Sequence, residues 1–228
     1  MSERRVALVS GGNRGIGAAI VRALAEHGWD VSVGMRRPRA MPEAAQVHRY
    51  DAQDRASEAA WVAAAVERFG RIDAVIANAG IMIPKTVIEA EDEDLDALLE
   101  VNVKSPLRLV RAAWPQLVAC GRGRVVTIVS LSGLRVKTPR SALYSVSKFA
   151  ALALTHAVRQ TGWDDGIRAV AVCPGFVVSD MSAAVTDRPP ETMTQPDDLA
   201  RIVAFVLDLP NTASIATLPI NSTLEESL

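Results

Sequence analysis

Val6-Ala7-Leu8-Val9-Ser10-Gly11-Gly12-Asn13-Arg14-Gly15-Ile16-Gly17 decides the fold. The apolar run 6–9 reads as a short strand buried on both faces, and residues 16–27 follow it with helical spacing. Between them the glycines fall as Gly11-x3-Gly15-x-Gly17. A glycine-rich turn from a first strand into a helix lets the backbone approach a pyrophosphate, and the helix N-terminus then offers N–H donors. This spacing differs from the usual G-x-G-x-x-G fingerprint, and glycines in such a turn can also be purely structural.

The same alternation continues along the chain. Strands are predicted at 31–33, 46–50, 74–77, 124–129, 168–172 and 215–219. Helices are predicted at 57–69, 95–119, 142–160 and 197–207. Strand–helix alternation of this kind builds an α/β, doubly wound, mostly parallel sheet with helices on both faces, Rossmann-like, here expected as a single domain over 1–228. Residues 182–196 hold Pro189, Pro190 and Pro196 and form the least regular segment, a candidate lid or else a tolerated surface loop.

The second strand ends in Gly34-Met35-Arg36-Arg37, with no acid to bond an adenosine ribose diol. Arginine suits a 2′-phosphate because its guanidinium is a planar, multi-donor cation. Arg14, in the glycine turn, can reach the same phosphate. These residues favour NADP(H) over NAD(H), against the alternative of a solvated basic loop that also includes Arg39.

Tyr144-Ser145-Val146-Ser147-Lys148 puts a phenol and an ammonium on one helix face. A free phenol, with a pKa of about 10, holds its proton at neutral pH, and a nearby ammonium stabilises the phenolate. Such a pair can serve as a general acid/base. Three strand ends carry small or polar residues that belong at the same sheet edge: Ser130, Ala77-Asn78-Ala79-Gly80, and Cys173-Pro174-Gly175-Phe176-Val177-Val178-Ser179.

With these motifs in place, the sequence resembles the short-chain dehydrogenase/reductase family over nearly its whole length. The family's Thr-Gly-x3-Gly-x-Gly turn appears with Ser10 for the threonine, and its Asn-Asn-Ala-Gly as Ala77–Gly80. Its Ser-x-x-Gly matches Ser130–Gly133, its Tyr-x-x-x-Lys matches Tyr144 and Lys148, and its Pro-Gly-x-Val-x-Thr matches Pro174–Ser179. The resemblance implies Asn102, Ser130, Tyr144 and Lys148 as catalytic residues: Tyr144 moves the proton, Lys148 lowers the Tyr144 pKa, Ser130 holds the carbonyl and Asn102 supports a water relay behind Lys148. Ser132 is the competing hydroxyl, since the loop from Ser130 to Tyr144 is one residue longer than the common spacing.

The expected cofactor contacts come from Gly11, Asn13, Arg14, Ile16 and Gly17 in the turn, and from Arg36 and Arg37 after the second strand. Asp51 and Ala52 follow the third strand, beside adenine. Asn78, Ala79 and Gly80 follow the fourth, and Pro174, Gly175, Val177 and Ser179 the sixth, with Tyr144 and Lys148 at the nicotinamide ribose. Substrate contacts are expected from Ser130, Leu131, Tyr144, Phe176 and Met181, with Ile81 and Met82 nearby. Their apolar character favours an apolar or amphiphilic ketone, aldehyde or secondary alcohol. Arg135, Lys137 and Arg140 are read as a solvated basic loop.

Composition removes other classes. A formal net charge of −1 gives no general affinity for nucleic acid or anionic membranes. No apolar run is long enough to span a bilayer and no signal peptide is evident, so the cytoplasm is the expected compartment. Cys120 and Cys173 lack metal-ligand spacing and read as reduced thiols; no metal is expected. The expected partners are a small carbonyl or alcohol substrate and further copies of the chain, as a homodimer or homotetramer. A non-catalytic NADP(H)-binding sensor on the same fold is the main alternative, and an epimerase or dehydratase with transient hydride transfer another.

Overall fold

The computed structural model describes residues 4–224. In β1 (Val6–Ser10) successive side chains face opposite layers: Ala7 and Val9 join one core, Val6 and Leu8 the other. That two-sided burial explains the unbroken apolar run, because a strand in a parallel sheet covered by helices has no wet face. The other strands are β2 (Asp30–Met35), β3 (Gln46–Arg49), β4 (Ala74–Ala77), β5 (Arg124–Ile128), β6 (Arg168–Pro174) and β7 (Thr217–Ile220). Together they form one parallel sheet in the order β3-β2-β1-β4-β5-β6-β7.

The chain reverses its direction of travel across the sheet between β1 and β4. Their carboxyl ends therefore open a crevice at the switch point. The helix α1 (Gly15–Glu26) packs on one face through Ile20, Val21 and Leu24. On the other face, α2 (Ser57–Phe69) packs through Trp61 and Val62.

The predicted helix over 95–119 is three elements: α3 (Asp92–Leu99), a π-helical turn (Glu100–Lys104) and α4 (Ser105–Ala119). The Ser105 N–H donates to the Glu100 carbonyl, five residues back. Pro106 has no N–H, so the carbonyl of Asn102, four residues before it, lacks its ordinary α-helical donor. The π-turn therefore sits where the sequence cannot continue a regular α-helix, and it carries Asn102.

The helix α5 (Ala142–Thr161) follows, then the short α6 (Asp180–Ala183), and α7 (Pro196–Asp208), which packs beside α1 through Leu199 and Val203. The last strand begins at Thr217, two residues later than predicted; Thr217 pairs with Ala171, and the Ala171 N–H bonds the preceding Ala216 carbonyl at 3.0 Å. The irregular segment before α7 is an ordered flap. Val177 and Thr194 pair in parallel, and Thr194 N–H donates to Phe176 O at 3.1 Å, so the flap leaves and rejoins the body at one place. None of the helices among the described residues is long and apolar enough to cross a membrane.

Candidate active site

A cleft of about 1600 Å³ lies along the carboxyl ends of the strands, from the glycine turn to the flap. Its first half is backbone-built. Gly11 has φ +66°, and a Cβ on Gly17 would lie 2.3 Å from the Gly11 carbonyl oxygen and 2.6 Å from Asn78 Nδ2. Only hydrogen fits there. Arg14 caps α1 without a side-chain bond to its first turn, so no N-cap side chain takes up those N–H groups beside the groove.

Asn78 fastens this turn to β4, its amide donating to the Ser10 and Gly11 carbonyls at 2.9 and 3.2 Å. The Ser10 hydroxyl accepts from the N–H groups of Asn78 and Ala79, both at 3.0 Å. The hydroxyl that Ser10 shares with threonine thus ties the two switch-point strands together. Arg36 and Arg37 are exposed at the end of β2 and line the same groove, as do Asp51 and Ala52. Arg39 donates to the Asn13 carbonyl, bracing the glycine turn from outside. Arg14 lines the same groove and pairs with Asp180 at the start of α6.

Behind the Asp51–Ala52 wall lies a buried polar network invisible in the sequence. Tyr50 Oη and Ser105 Oγ are 2.5 Å apart, and Ser105 donates to Glu58 Oε1 at 2.5 Å. Burial pushes the Tyr50 phenol up to about 12. Arg108 donates to both Glu58 oxygens at 3.0 Å, to the Ala52 carbonyl at 2.8 Å and to Glu100 at 2.6 Å. One guanidinium therefore joins the groove wall to the π-turn that holds Asn102.

The second half of the cleft gathers the expected chemical residues. Tyr144 is buried, and the Ser130 hydroxyl is the neighbouring side chain that favours its phenolate. Ser130 Oγ also accepts from the Ser132 N–H at 3.1 Å. Ser130 is thus the hydroxyl beside Tyr144, while Ser132 orients it through its backbone. Lys148 Nζ lies 5.5 Å from the Tyr144 ring centroid and donates to the Ile128 carbonyl at 3.0 Å. Gly133 permits this helix approach: a Cβ there would lie 2.8 Å from the Lys148 carbonyl oxygen. Asn102 is buried, its amide bonded to the N–H and C=O of Ile81 at 2.9 and 3.0 Å and to Ser147 Oγ at 3.0 Å. Its side-chain partners are Ile81 and Ser147 rather than Lys148.

Burial shapes the electrostatics. It raises the Tyr144 phenol above its ordinary value, with the Ser130 hydroxyl opposing. It lowers the Lys148 ammonium to about 8. The shift of Tyr144 is set by desolvation with Ser130 opposing, and Lys148 is not among its causes.

Leu131, Phe176 and Met181 line this half, beside Ile81 and Met82. Arg135, Lys137 and Arg140 reach its rim from the loop before α5, and Arg188 from the flap. The rim is thus more basic than the apolar reading of the pocket anticipated.

The family described as short chain dehydrogenase matches residues 5–190. The chain belongs to the short-chain dehydrogenase family. Agropine synthesis reductase of Rhizobium rhizogenes is 40% identical over 218 residues, 92% of this chain and 50% of that protein. The chain thus spans about half the length of that relative. An alcohol dehydrogenase of the archaeon Thermococcus sibiricus, complexed with 5-hydroxy-NADP, superposes with a TM-score of 0.87 at 27% identity, covering 99% of this chain and 100% of that one. A short-chain dehydrogenase of Burkholderia cenocepacia in complex with NADP superposes at 0.84 with 30% identity, covering 96% of each. Membership places the chain in a family of oxidoreductases, on a nucleotide-binding, Rossmann-type fold. Sequence reasoning missed Ser147, Arg108, Asp180 and Arg188; of the site's features, only the π-turn left a signal, Pro106 four residues after Asn102.

Proposed function

We propose that the chain interconverts a carbonyl and an alcohol with NADP(H), using Tyr144 as the general acid/base. The observation that carries this reading is the Tyr144–Ser130 hydroxyl pair, with the Lys148 ammonium beside the ring, in the cleft that begins at the glycine turn. Gly11, Asn13, Ile16 and Gly17 cradle the pyrophosphate, and the small residues Ala79, Gly80, Pro174, Gly175 and Val177 leave room for a flat ring. Arg36 and Arg37, with no acid at the end of β2, favour a 2′-phosphate and hence NADP(H) over NAD(H). The NADP and 5-hydroxy-NADP held by two similar structures support that preference.

When bound, the nicotinamide supplies or accepts the hydride. Ser130 holds the substrate oxygen and Tyr144 gives it a proton in reduction, or takes one in oxidation. The raised Tyr144 pKa keeps the phenol protonated at neutral pH, which suits the proton-donating direction. Lys148 supplies positive charge against phenolate, and Asn102 fixes the loop at Ile81 that faces it.

The test is consumption of NADPH and NADH against a panel of carbonyls. Tyr144→Phe is expected to bind NADPH and to lose about 100- to 10,000-fold in turnover. Near-normal turnover in that variant would overturn the mechanism. No turnover by the unaltered protein, with tight NADPH binding, would favour a non-catalytic sensor.

A further inference from the structure

Among the described residues, Arg188 and Lys137 at the rim of the substrate half form no ion pair. Arg188 is half-buried in the flap, its guanidinium 5.8 Å from the centre of the Phe176 ring. Its own N–H bonds Thr186 Oγ1 at 3.3 Å, which fixes the backbone at that point. No carboxylate among the described residues pairs with it. Lys137 and Arg140 line the same cleft from the loop before α5.

The nearby acids offset this charge only in part. Asp180 is taken by Arg14. Glu89 is bonded to the N–H and hydroxyl of Thr86 at 3.0 and 2.9 Å and also faces Arg140. That leaves exposed Asp187, lining the cleft beside Arg188, against Arg188 and Lys137.

Cations elsewhere on the chain commonly hold carboxylates, as Arg22 does Asp197 at 2.6 Å and Lys85 does Asp94 at 2.6 Å. A guanidinium packed on an aromatic face and partly withdrawn from water keeps its planar donor fork free for a two-oxygen anion. Phe176 follows directly on Gly175 at the end of β6, so this cation stands beside the residues expected around the substrate.

We propose that the carbonyl substrate carries a carboxylate that pairs with Arg188, its carbonyl meeting Ser130 and Tyr144. This rests on the oxidoreductase reading above and narrows its substrate class from apolar ketones to keto acids. Lys137 and Arg140 add attraction at the rim. Leu131 and Phe176 cover the carbon chain between the two polar ends.

The test compares each acid with its uncharged twin: acetoacetate and laevulinate against their methyl esters. Binding is read from the fluorescence of NADPH bound to Tyr144→Phe, which needs no turnover, and kcat/KM is read on the unaltered protein. The acids are expected to bind at least about tenfold more tightly than the esters, a difference of about 1.4 kcal/mol. Arg188→Met is expected to collapse that ratio, Arg188→Lys to keep part of it, and Lys137→Gln with Arg140→Gln to reduce it less. Equal binding of acid and ester, binding of neither, or a preference that survives Arg188→Met would each overturn the proposal. Turnover that persists in Tyr144→Phe while acids remain preferred would instead overturn the catalytic reading and leave this one standing.

Discussion

The two halves of the cleft are built from different materials. Around the glycine turn the walls are main chain, held by Ser10 and Asn78 and braced by the buried Tyr50–Ser105–Glu58–Arg108 network. Around Tyr144 only the floor is so fixed, through Asn102, Ser147 and Gly133. The rim there consists of loop-borne side chains, and among the described residues Arg188 and Lys137 form no ion pair. A wall of backbone can recognise only what every dinucleotide shares, whereas a rim of loop side chains can vary with the substrate at little cost to the fold. Stability and cofactor binding should therefore concentrate in the first half and specificity in the second.

The largest test of that contrast is Arg108→Met. Removing the guanidinium leaves Glu58, only 1% exposed, as a buried carboxylate whose cation is gone. The expected loss is about 3–5 kcal/mol, seen as a melting temperature lower by roughly 10 °C. Arg188→Met on the rim should leave the melting temperature within about 2 °C. Equal losses from the two would erase the distinction.

Gly17→Ala comes next. Its methyl would meet the Gly11 carbonyl oxygen at 2.3 Å, so the turn must open. A cost of about 1–3 kcal/mol is expected, with weaker NADPH binding by isothermal titration. Full affinity in that variant would mean that the groove does not rely on the close approach of the turn. A smaller effect is expected from Arg36→Asp, which should shift the NADPH/NADH ratio of kcat/KM by about tenfold, or 1.4 kcal/mol, towards NADH. An unchanged ratio would remove Arg36 from the phosphate site.

The sequence was most legible where chemistry is local. The apolar runs of β1, β4 and β5 announced burial, and the glycine spacing and the Tyr144–Lys148 interval lie within single turns of chain. The choice between Ser130 and Ser132 is not legible in the sequence, because it depends on which hydroxyl lies beside Tyr144 in space. Arg108 meets Glu58 across 50 residues, and Arg14 meets Asp180 across 166. No periodicity carries such contacts; they depend on the paths of loops. The same is true of the basic rim, since a run such as Arg135, Lys137 and Arg140 reads as solvated until the fold lays it along a cleft.

The smallest effect separates function from stability at one residue. Lys148 is 5% exposed, and burial holds its ammonium at about 8 against an ordinary 10.5. Below about 8 both folded and unfolded chains carry the proton, and the folded protein bears the full cost of a buried charge. As pH rises from about 8 towards 10.5 the folded protein releases that proton first, and the cost fades. Lys148→Met removes the charge and keeps most of the volume, while giving up the bond to the Ile128 carbonyl. The cofactor-free variant is therefore expected to be more stable than the parent at neutral pH, by on the order of 1 kcal/mol, although turnover collapses. The gap should narrow above pH 8, which urea unfolding of the two proteins at matched pH would read directly. A variant less stable than the parent at neutral pH would mean that the bond to Ile128 outweighs the desolvation of the ammonium. Lys148 would then support the fold as well as the reaction.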